Sequence, residues 1–270
     1  MTRTPVETLD ARRYAECFAV FVSRSEEYPA MLDRLCGFAE QLRDGFACLD
    51  VGAGTGMVVR EWMARPGPRP GRYVAVEPNP VHAAELRQNI ASLGLDASVD
   101  EDAFDVDYRI PGTFDLTLFS HSLYWMTDPV ACVRHACSAL ARKGRVVAFL
   151  QAPFGIHPMY RLFDPQLARD RPPGQDQGLS SAELVVGLRA AGLEPTVYLD
   201  PTPIDLTGLF DAGNETERDD FVSFCLQIEF SGVAEPLRSD VLSYLHAAGV
   251  EKNGRLLWHE PTATVVVRPS

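Results

Sequence analysis

Lysine is nearly missing from this chain. Of 25 basic residues only Lys143 and Lys252 are lysines, and 37 acidic residues stand against them. The formal net charge of −12 repels phosphate backbones and anionic lipid surfaces, so neither nucleic acid nor membrane is expected as a partner. A cationic or neutral small substrate suits it. The preference for arginine, with abundant Ala, Gly and Pro, points to a bacterial genome of high GC content. Long apolar runs are missing too. No segment approaches the roughly 18 apolar residues of a membrane span. The opening MTRTPVETLDARRY lacks the apolar centre of a secretion signal, so a cytoplasmic protein is expected. The six cysteines, Cys17, Cys36, Cys48, Cys132, Cys137 and Cys225, form no C-x-x-C pair and read as buried thiols in a reducing compartment.

What is present is a globular composition: 270 residues, 46% apolar and 23% charged. That mass is enough for a sizeable core and for a single domain over 1–270. Residues 10–44 read as two helices broken at Tyr28-Pro29. From Phe46 the pattern alternates. Strands are expected at Phe46–Val51, Arg72–Val76, Ala97–Val99, Phe114–Ser120 and Arg145–Leu150. Helices fall between them, two with an Asn or Asp cap followed by proline (Asn79-Pro80, Asp128-Pro129). Apolar strands alternating with helices make an α/β fold, a parallel sheet covered on both faces. Residues 151–178 are rich in Pro, Gly and aromatics and read as a long loop or short helices. A helix at Ser180–Ala191, a strand at Leu193–Leu199, a mostly helical 205–248 and a last strand at Thr262–Arg268 follow. The expected organisation is an N-terminal helical lid (1–44), a core (45–150), and a cap with the end of the sheet (151–270).

The first strand runs into LDVGAGTG. Its glycines, Gly52, Gly54 and Gly56, lack the spacing of a nicotinamide fingerprint, since Met57 stands where the third glycine belongs. No Gly-Lys-Ser/Thr follows, so this is not a phosphate-cradling loop either. What remains is a turn whose backbone passes close to a flat ligand, because glycine has no Cβ and tolerates φ > 0. Asp50, just before it, can accept hydrogen bonds or meet a positive charge. Glu77 closes the next strand in VAVEPNP, where its carboxylate can accept two ribose hydroxyls. A ligand with a ribose, an adenine, a cationic centre and no phosphate fits: S-adenosylmethionine.

On these residues, and on the acid-rich VDEDAFD after the third strand, the chain resembles the class I S-adenosylmethionine-dependent methyltransferases. The resemblance implies a Rossmann-like seven-stranded, mostly parallel sheet whose last strand runs antiparallel. It implies a cofactor site of Asp50, Gly52, Gly54, Gly56, Glu77, Asp102, Ala103 and Ser120. YAECFAVFVSRSEEYPAM, FSHSLYWMTDPVACVRHACSAL, DLTGLFDAGNETERDDFVSF and PTATVVV further resemble the histamine N-methyltransferase group. That likeness implies Glu27 as a glutamate meeting the substrate, Tyr124 and Trp125 as paired aromatics near the amine and methyl group, and Tyr14 and Phe18 as lid aromatics. Two of that group's polar amides are replaced here, one by His121 and one by Pro261, which lies beside His259 and Glu260. These departures argue against histamine itself.

Methyl transfer from a sulfonium is an in-line displacement in which the protein mainly positions the reactants. An amine acceptor must present a lone pair, and His121 or Glu27 can take its proton directly or through water. Ring faces of Tyr124 and Trp125 can stabilise a cationic amine or sulfonium by roughly 0.5–2 kcal/mol each. The catalytic set is therefore His121, Glu27 and Tyr124, with Tyr14, Phe18, Trp125 and His259 on the substrate. The expected activity is methyl transfer to a small molecule, at an amine nitrogen, in bacterial specialised metabolism, with no metal. The alternatives are C- or O-methylation, for example of a 2-keto acid on a metal held by Glu27, His121 and His259, and cofactor binding without transfer.

Overall fold

In the computed structural model, residues 3–168 and 176–269 are described. β1 (Thr4–Pro5) precedes α1 (Ala11–Arg24), which begins where the Asp10 carboxylate accepts the Arg13 backbone N–H at 2.8 Å. α2 spans Glu27–Ala39. The break between these helices falls at Ser25-Glu26, not at Tyr28-Pro29. Pro29 lies in the first turn of α2, where a missing N–H leaves no helical bond unmade.

The expected alternation follows: β2 (Phe46–Val51), α3 (Met57–Met63), β3 (Pro70–Val76), α4 (Pro80–Ala91), β4 (Ala97–Asp100), β5 (Phe114–Ser120), α5 (Pro129–Ser138) and β6 (Leu140–Gln151). Asn79 and Asp128 cap α4 and α5 through their side chains, each with proline in the first turn. Gly56, at φ 81°, is the residue before α3. Beyond β6 come α6 (Ile156–Phe163), β7 (Leu167–Ala168), α7 (Ser181–Ala190), β8 (Thr196–Asp200), β9 (Pro203–Asp205), α8 (Glu215–Leu226), α9 (Leu237–Ala248), β10 (Gly249–Lys252), β11 (Arg255–His259) and β12 (Thr262–Val267). Of the segment 151–178, residues 169–175 lie outside the described residues.

The chain divides into two compact units. One comprises Pro29–Leu150, Pro173–Leu199 and Ala263–Ser270. It holds a seven-stranded sheet in the order β4-β3-β2-β5-β6-β12-β8. β2 pairs parallel with both β3 and β5, β3 with β4, and β5 with β6. The last strand runs antiparallel, so the sheet is the mostly parallel, Rossmann-like one expected. Its inner strands β2 and β12 and the second half of β6 are buried at nearly every position, as expected where both faces are covered, while the edge strands β4 and β8 are partly exposed. Leu49, Val51, Phe119, Val146, Ala148 and Val265 join α5 and α7 residues in one buried cluster. Strand order reverses between β2 and β5, and the crevice outside their carboxyl ends is where such sheets bind ligands.

The other unit comprises Met1–Tyr28, Gln151–Pro172 and Asp200–Thr262. It contains a three-stranded antiparallel sheet, β10-β11-β9, and the short parallel pair β1-β7. Phe21, Phe163, Phe221, Phe230 and Trp258 anchor its core. The expected helices within 205–248 are α8 and α9. The small sheet flanking them escaped the sequence reading, because strands of three to five residues with exposed ends show no usable period.

Candidate active site

The glycine turn is held by the neighbouring strand. Val76 at the end of β3 accepts the backbone N–H of Gly52 at 2.7 Å and of Ala53 at 3.3 Å. Gly52, Gly54 and Gly56 all take positive φ, at 70°, 57° and 81°, a region open to glycine without steric cost. Each glycine meets a different constraint. A Cβ on Gly52 would fall 2.4 Å from Cβ of Ser122, and one on Gly56 2.5 Å from Cδ1 of Leu86, whereas one on Gly54 would meet nothing within 4 Å. Gly52 and Gly56 are thus filled against, and Gly54 faces open space.

Glu77 is hydrogen-bonded directly to the Gly54 backbone. It is buried, and each of its oxygens is already held: Oε2 accepts the Gly54 N–H at 2.8 Å, and Oε1 the Asn79 N–H at 3.0 Å. A carboxylate oxygen has a second lone pair, so the pinned side chain can still accept two hydroxyls. Its own N–H donates to the Asp100 carbonyl at 2.9 Å.

Asp50 is 2% exposed. The Tyr73 hydroxyl donates to its Oδ2 at 2.6 Å, while Oδ1 is buried with no hydrogen-bond partner among the described residues. Burial pushes its pKa up to about 6; the Tyr73 bond opposes this and the Glu77 charge adds to it. An orphaned acceptor of this kind asks for a donor.

From the other side of the crevice comes the end of β5. The Ser122 hydroxyl donates to the Val51 carbonyl at 2.6 Å, tying this segment to the glycine turn. Ser120 Oγ is buried without a hydrogen-bond partner among the described residues. His121 takes φ 54°, a left-handed conformation rare for a residue with a Cβ. Its N–H donates to the Phe149 carbonyl at 3.0 Å, and its Nδ1 lies 3.4 Å from the Tyr124 hydroxyl. Trp125 is 46% exposed. Asp102 and Ala103 are exposed on the turn after β4, where the Asp102 N–H donates to Asp100 Oδ1 at 3.3 Å.

The structure therefore brings Asp50, Gly52, Gly54, Gly56 and Glu77 together in one unit, with Ser120, His121 and Tyr124 on the neighbouring strand end. Tyr14, Phe18, Glu27 and His259 belong to the other unit. There Tyr14 and Phe18 stack at 6.1 Å between centroids and pack with Phe224, while Phe18 also meets Tyr28 edge-on. Burial pushes the Tyr14 hydroxyl up to about 12. Glu27 is buried, and His259 packs against Phe154. Among the described residues no group of three or more His, Cys, Asp or Glu is placed to hold a metal ion.

Sequence reasoning missed four supports: Tyr73, Ser122, Asp100 and Glu260. Tyr73 is read from the strand alternation that points it to Asp50's layer, and Ser122 from its place at the β5 end. Glu260 had no such signal. It is 2% exposed and accepts the Ile156 N–H. Burial, then the nearby Glu27 charge, holds its carboxyl far above the usual range.

Residues 49–148 match the family model described as a methyltransferase domain. No curated protein matches the sequence. Among solved structures the chain is similar to the YcgJ protein of Bacillus subtilis, at TM-score 0.55 and 14% identity, covering 88% of this chain and 98% of that one. It is also similar to the plantazolicin methyltransferase BamL, solved with a triazolic desmethylPZN analogue and SAH, at TM-score 0.53 and 12% identity, covering 96% and 90%. A third is a SAM-dependent methyltransferase of Geobacter sulfurreducens bound to S-adenosyl-L-homocysteine, at TM-score 0.51 and 14% identity, covering 94% and 98%. These likenesses establish the shared fold. Residues 49–148 are thus similar to a methyltransferase domain, and the glycine turn and Glu77 that would suit S-adenosylmethionine fall within that matched stretch.

Proposed function

We propose that this protein methylates the amine nitrogen of a small molecule in bacterial specialised metabolism, using S-adenosylmethionine bound at the β2–β5 switch point. The observation that carries the cofactor site is the pairing of open space over Gly54 with a pinned Glu77 and an orphaned Asp50 oxygen. These fit the group. Glu77 would accept the ribose hydroxyls, Gly54 would allow close backbone approach, and Asp50 would accept a donor from the amino-acid end. Asp102, Ala103 and Ser120 complete the set by resemblance. When bound, the cofactor supplies an electrophilic methyl on a sulfonium.

The chain's own residues then have two tasks. The first is positioning, to which Tyr124 and Trp125 contribute their ring faces. The second is taking the proton of an ammonium acceptor. His121 suits this, since its left-handed backbone is held by the Phe149 carbonyl beside the cofactor strand end, and strained residues concentrate at such sites. Glu27, Tyr14 and Phe18 keep the roles that the histamine N-methyltransferase likeness implies, and His259 is kept as a candidate acceptor contact. His121 and Pro261 in place of that group's amides favour an amine other than histamine.

The test is a turnover assay: purified protein, S-adenosylmethionine and a panel of primary to tertiary amines, alcohols and 2-keto acids, read by S-adenosylhomocysteine formation. Turnover confined to amines supports the reading. Turnover confined to alcohols or keto acids replaces it with the O- or C-methyl alternative, and cofactor binding without any product supports the binding-only alternative.

A further inference from the structure

A polar cavity lies where the end of α1 meets β9, within the unit that holds the small sheet. It measures about 360 Å³, a size that suits a small metabolite, and its lining includes Arg24, Ser25, Glu26, Asp205, Glu217 and Arg255. No apolar residue lines it. Ser25 forms an antiparallel bridge with Ile204, and the Glu26 N–H donates to the Pro203 carbonyl at 3.4 Å, which seats the end of α1 on β9. Arg24 is committed to this wall. Its Nη1 donates to the carbonyls of Asp205 at 2.9 Å and Thr207 at 3.2 Å, and its Nε to Glu217 Oε1 at 2.9 Å. Arg255 holds Asp205 Oδ2 through Nε at 3.1 Å and Nη2 at 3.0 Å. The Thr207 N–H donates to Asp205 Oδ1 at 2.9 Å and fixes that carboxylate.

Two ion pairs thus cancel within the wall, Arg24 with Glu217 and Arg255 with Asp205. Glu26 is left as the lining charge without a counter-ion. Among the described residues its carboxylate accepts no hydrogen bond and meets no cation, and Nη1 of Arg255 donates to no acceptor. Both residues are exposed, so a ligand reaches them without any part of the fold opening. An uncommitted carboxylate and an uncommitted guanidinium nitrogen on one cavity offer an acceptor for an ammonium and a donor for a carboxylate. The Arg255 fork is already fixed by Asp205, which lowers the ordering cost of binding. A lone anion is opposed by the excess negative charge, and a lone cation leaves Nη1 unused. The polar walls also exclude lipids and large aromatic ligands, whose burial needs apolar surface.

We propose that this cavity binds a small zwitterion of the α-amino-acid class, its ammonium on Glu26 and its carboxylate on Nη1 of Arg255. Ser25 Oγ accepts the Glu27 N–H at 3.1 Å, and its own hydroxyl proton can serve the same carboxylate. None of these residues belongs to the cofactor or acceptor set, so the site stands whether or not the chain transfers a methyl group.

The experiment titrates the full-length protein calorimetrically with glycine and with L-lysine. Methylamine hydrochloride and sodium acetate each supply one of the two charges, and sodium chloride at matched ionic strength is the reference. Glu26→Gln is the principal variant, because an exposed carboxylate without a partner is lost without cost to the fold. Arg255→Gln is the second, since an exposed ion pair contributes little to stability. Glu251→Gln, on β10 and outside the cavity, is the control, and thermal unfolding verifies the fold of each variant. Saturable binding of glycine or L-lysine by the wild type and Glu251→Gln, at least tenfold tighter than methylamine or acetate and weakened at least tenfold in both Glu26→Gln and Arg255→Gln, supports the site. The proposal is overturned if neither amino acid differs from sodium chloride, or if methylamine binds as tightly as the amino acids, which would mark a plain cation groove. It is overturned equally if either cavity variant binds as the wild type does.

Discussion

Gly52→Ala and Gly54→Ala place the same methyl group two residues apart and are expected to fail in opposite ways. At Gly52 the new Cβ starts 2.4 Å from Cβ of Ser122. Ser122 must move, and its 2.6 Å bond to the Val51 carbonyl goes with it. The left-handed backbone costs alanine about 1–2 kcal/mol, and the lost buried hydrogen bond about 1–2 more. The expected loss is about 2–4 kcal/mol of folding stability. At Gly54 the backbone cost stands alone, about 1–2 kcal/mol, because the Cβ meets no protein atom. That methyl group instead occupies the space assigned to the cofactor. Chemical denaturation of the ligand-free proteins reads the first quantity, and calorimetric titration with S-adenosylhomocysteine reads the second. Gly52→Ala should be the less stable variant, and Gly54→Ala the weaker binder, by tenfold or more. Equal stabilities would refute the tight approach of Ser122. Unchanged affinity in Gly54→Ala would show that the ligand does not lie over that turn.

Other consequences are open to direct measurement. Glu77→Ala removes the acceptor that holds the Gly54 and Asn79 N–H groups as well as the proposed ribose contact. S-adenosylhomocysteine affinity should fall at least a hundredfold by calorimetry, and a fall of less than tenfold would contradict the assignment. Asp50 has its folded pKa raised from 3.8 to about 6. Its favourable contribution is therefore complete below pH 3.8 and disappears as pH rises through about 6. At neutral pH the wild type carries a cost of about 3 kcal/mol, which Asp50→Asn should relieve in part and with it flatten the stability profile between pH 4 and 6, while cofactor affinity falls; a profile unchanged by the substitution would contradict the buried charge. His121→Gly removes a side chain from a φ of 54°. Unfolding should show equal or greater stability by about 1 kcal/mol, with turnover reduced much more than cofactor affinity. Unchanged turnover would remove His121 from the chemistry.

The alternating core was legible because both signals that mark such folds are local. Apolar strands such as FACLDV carry one, and the Asn79-Pro80 and Asp128-Pro129 caps the other. The glycine turn and Glu77 were legible for a related reason: both sit at strand ends, where position in the chain fixes position in the crevice. The supports were not. Alternation orients Tyr73 and chain position brings Ser122 to the β5 end, but that they meet Asp50 and Gly52 depends on the pairing of β2 with β3 and β5, which no short window contains. The helix break moved from Tyr28-Pro29 to Ser25-Glu26 because proline is as acceptable in a first turn as before one. β9, β10 and β11 escaped because they are short and fall among consecutive strands, outside the strand–helix alternation. Glu260 is buried beside the start of α6, more than a hundred residues away in sequence, and no spacing rule reaches that far.

If the glycine turn and Glu77 bind an adenosyl sulfonium, that binding is measurable on the folded chain. Isothermal titration of the wild-type chain with S-adenosylmethionine tests it most directly. One saturable site per chain is expected, which Glu77→Ala abolishes or weakens at least a hundredfold. Absence of binding to the folded wild-type protein, or binding that Glu77→Ala leaves intact, would contradict it.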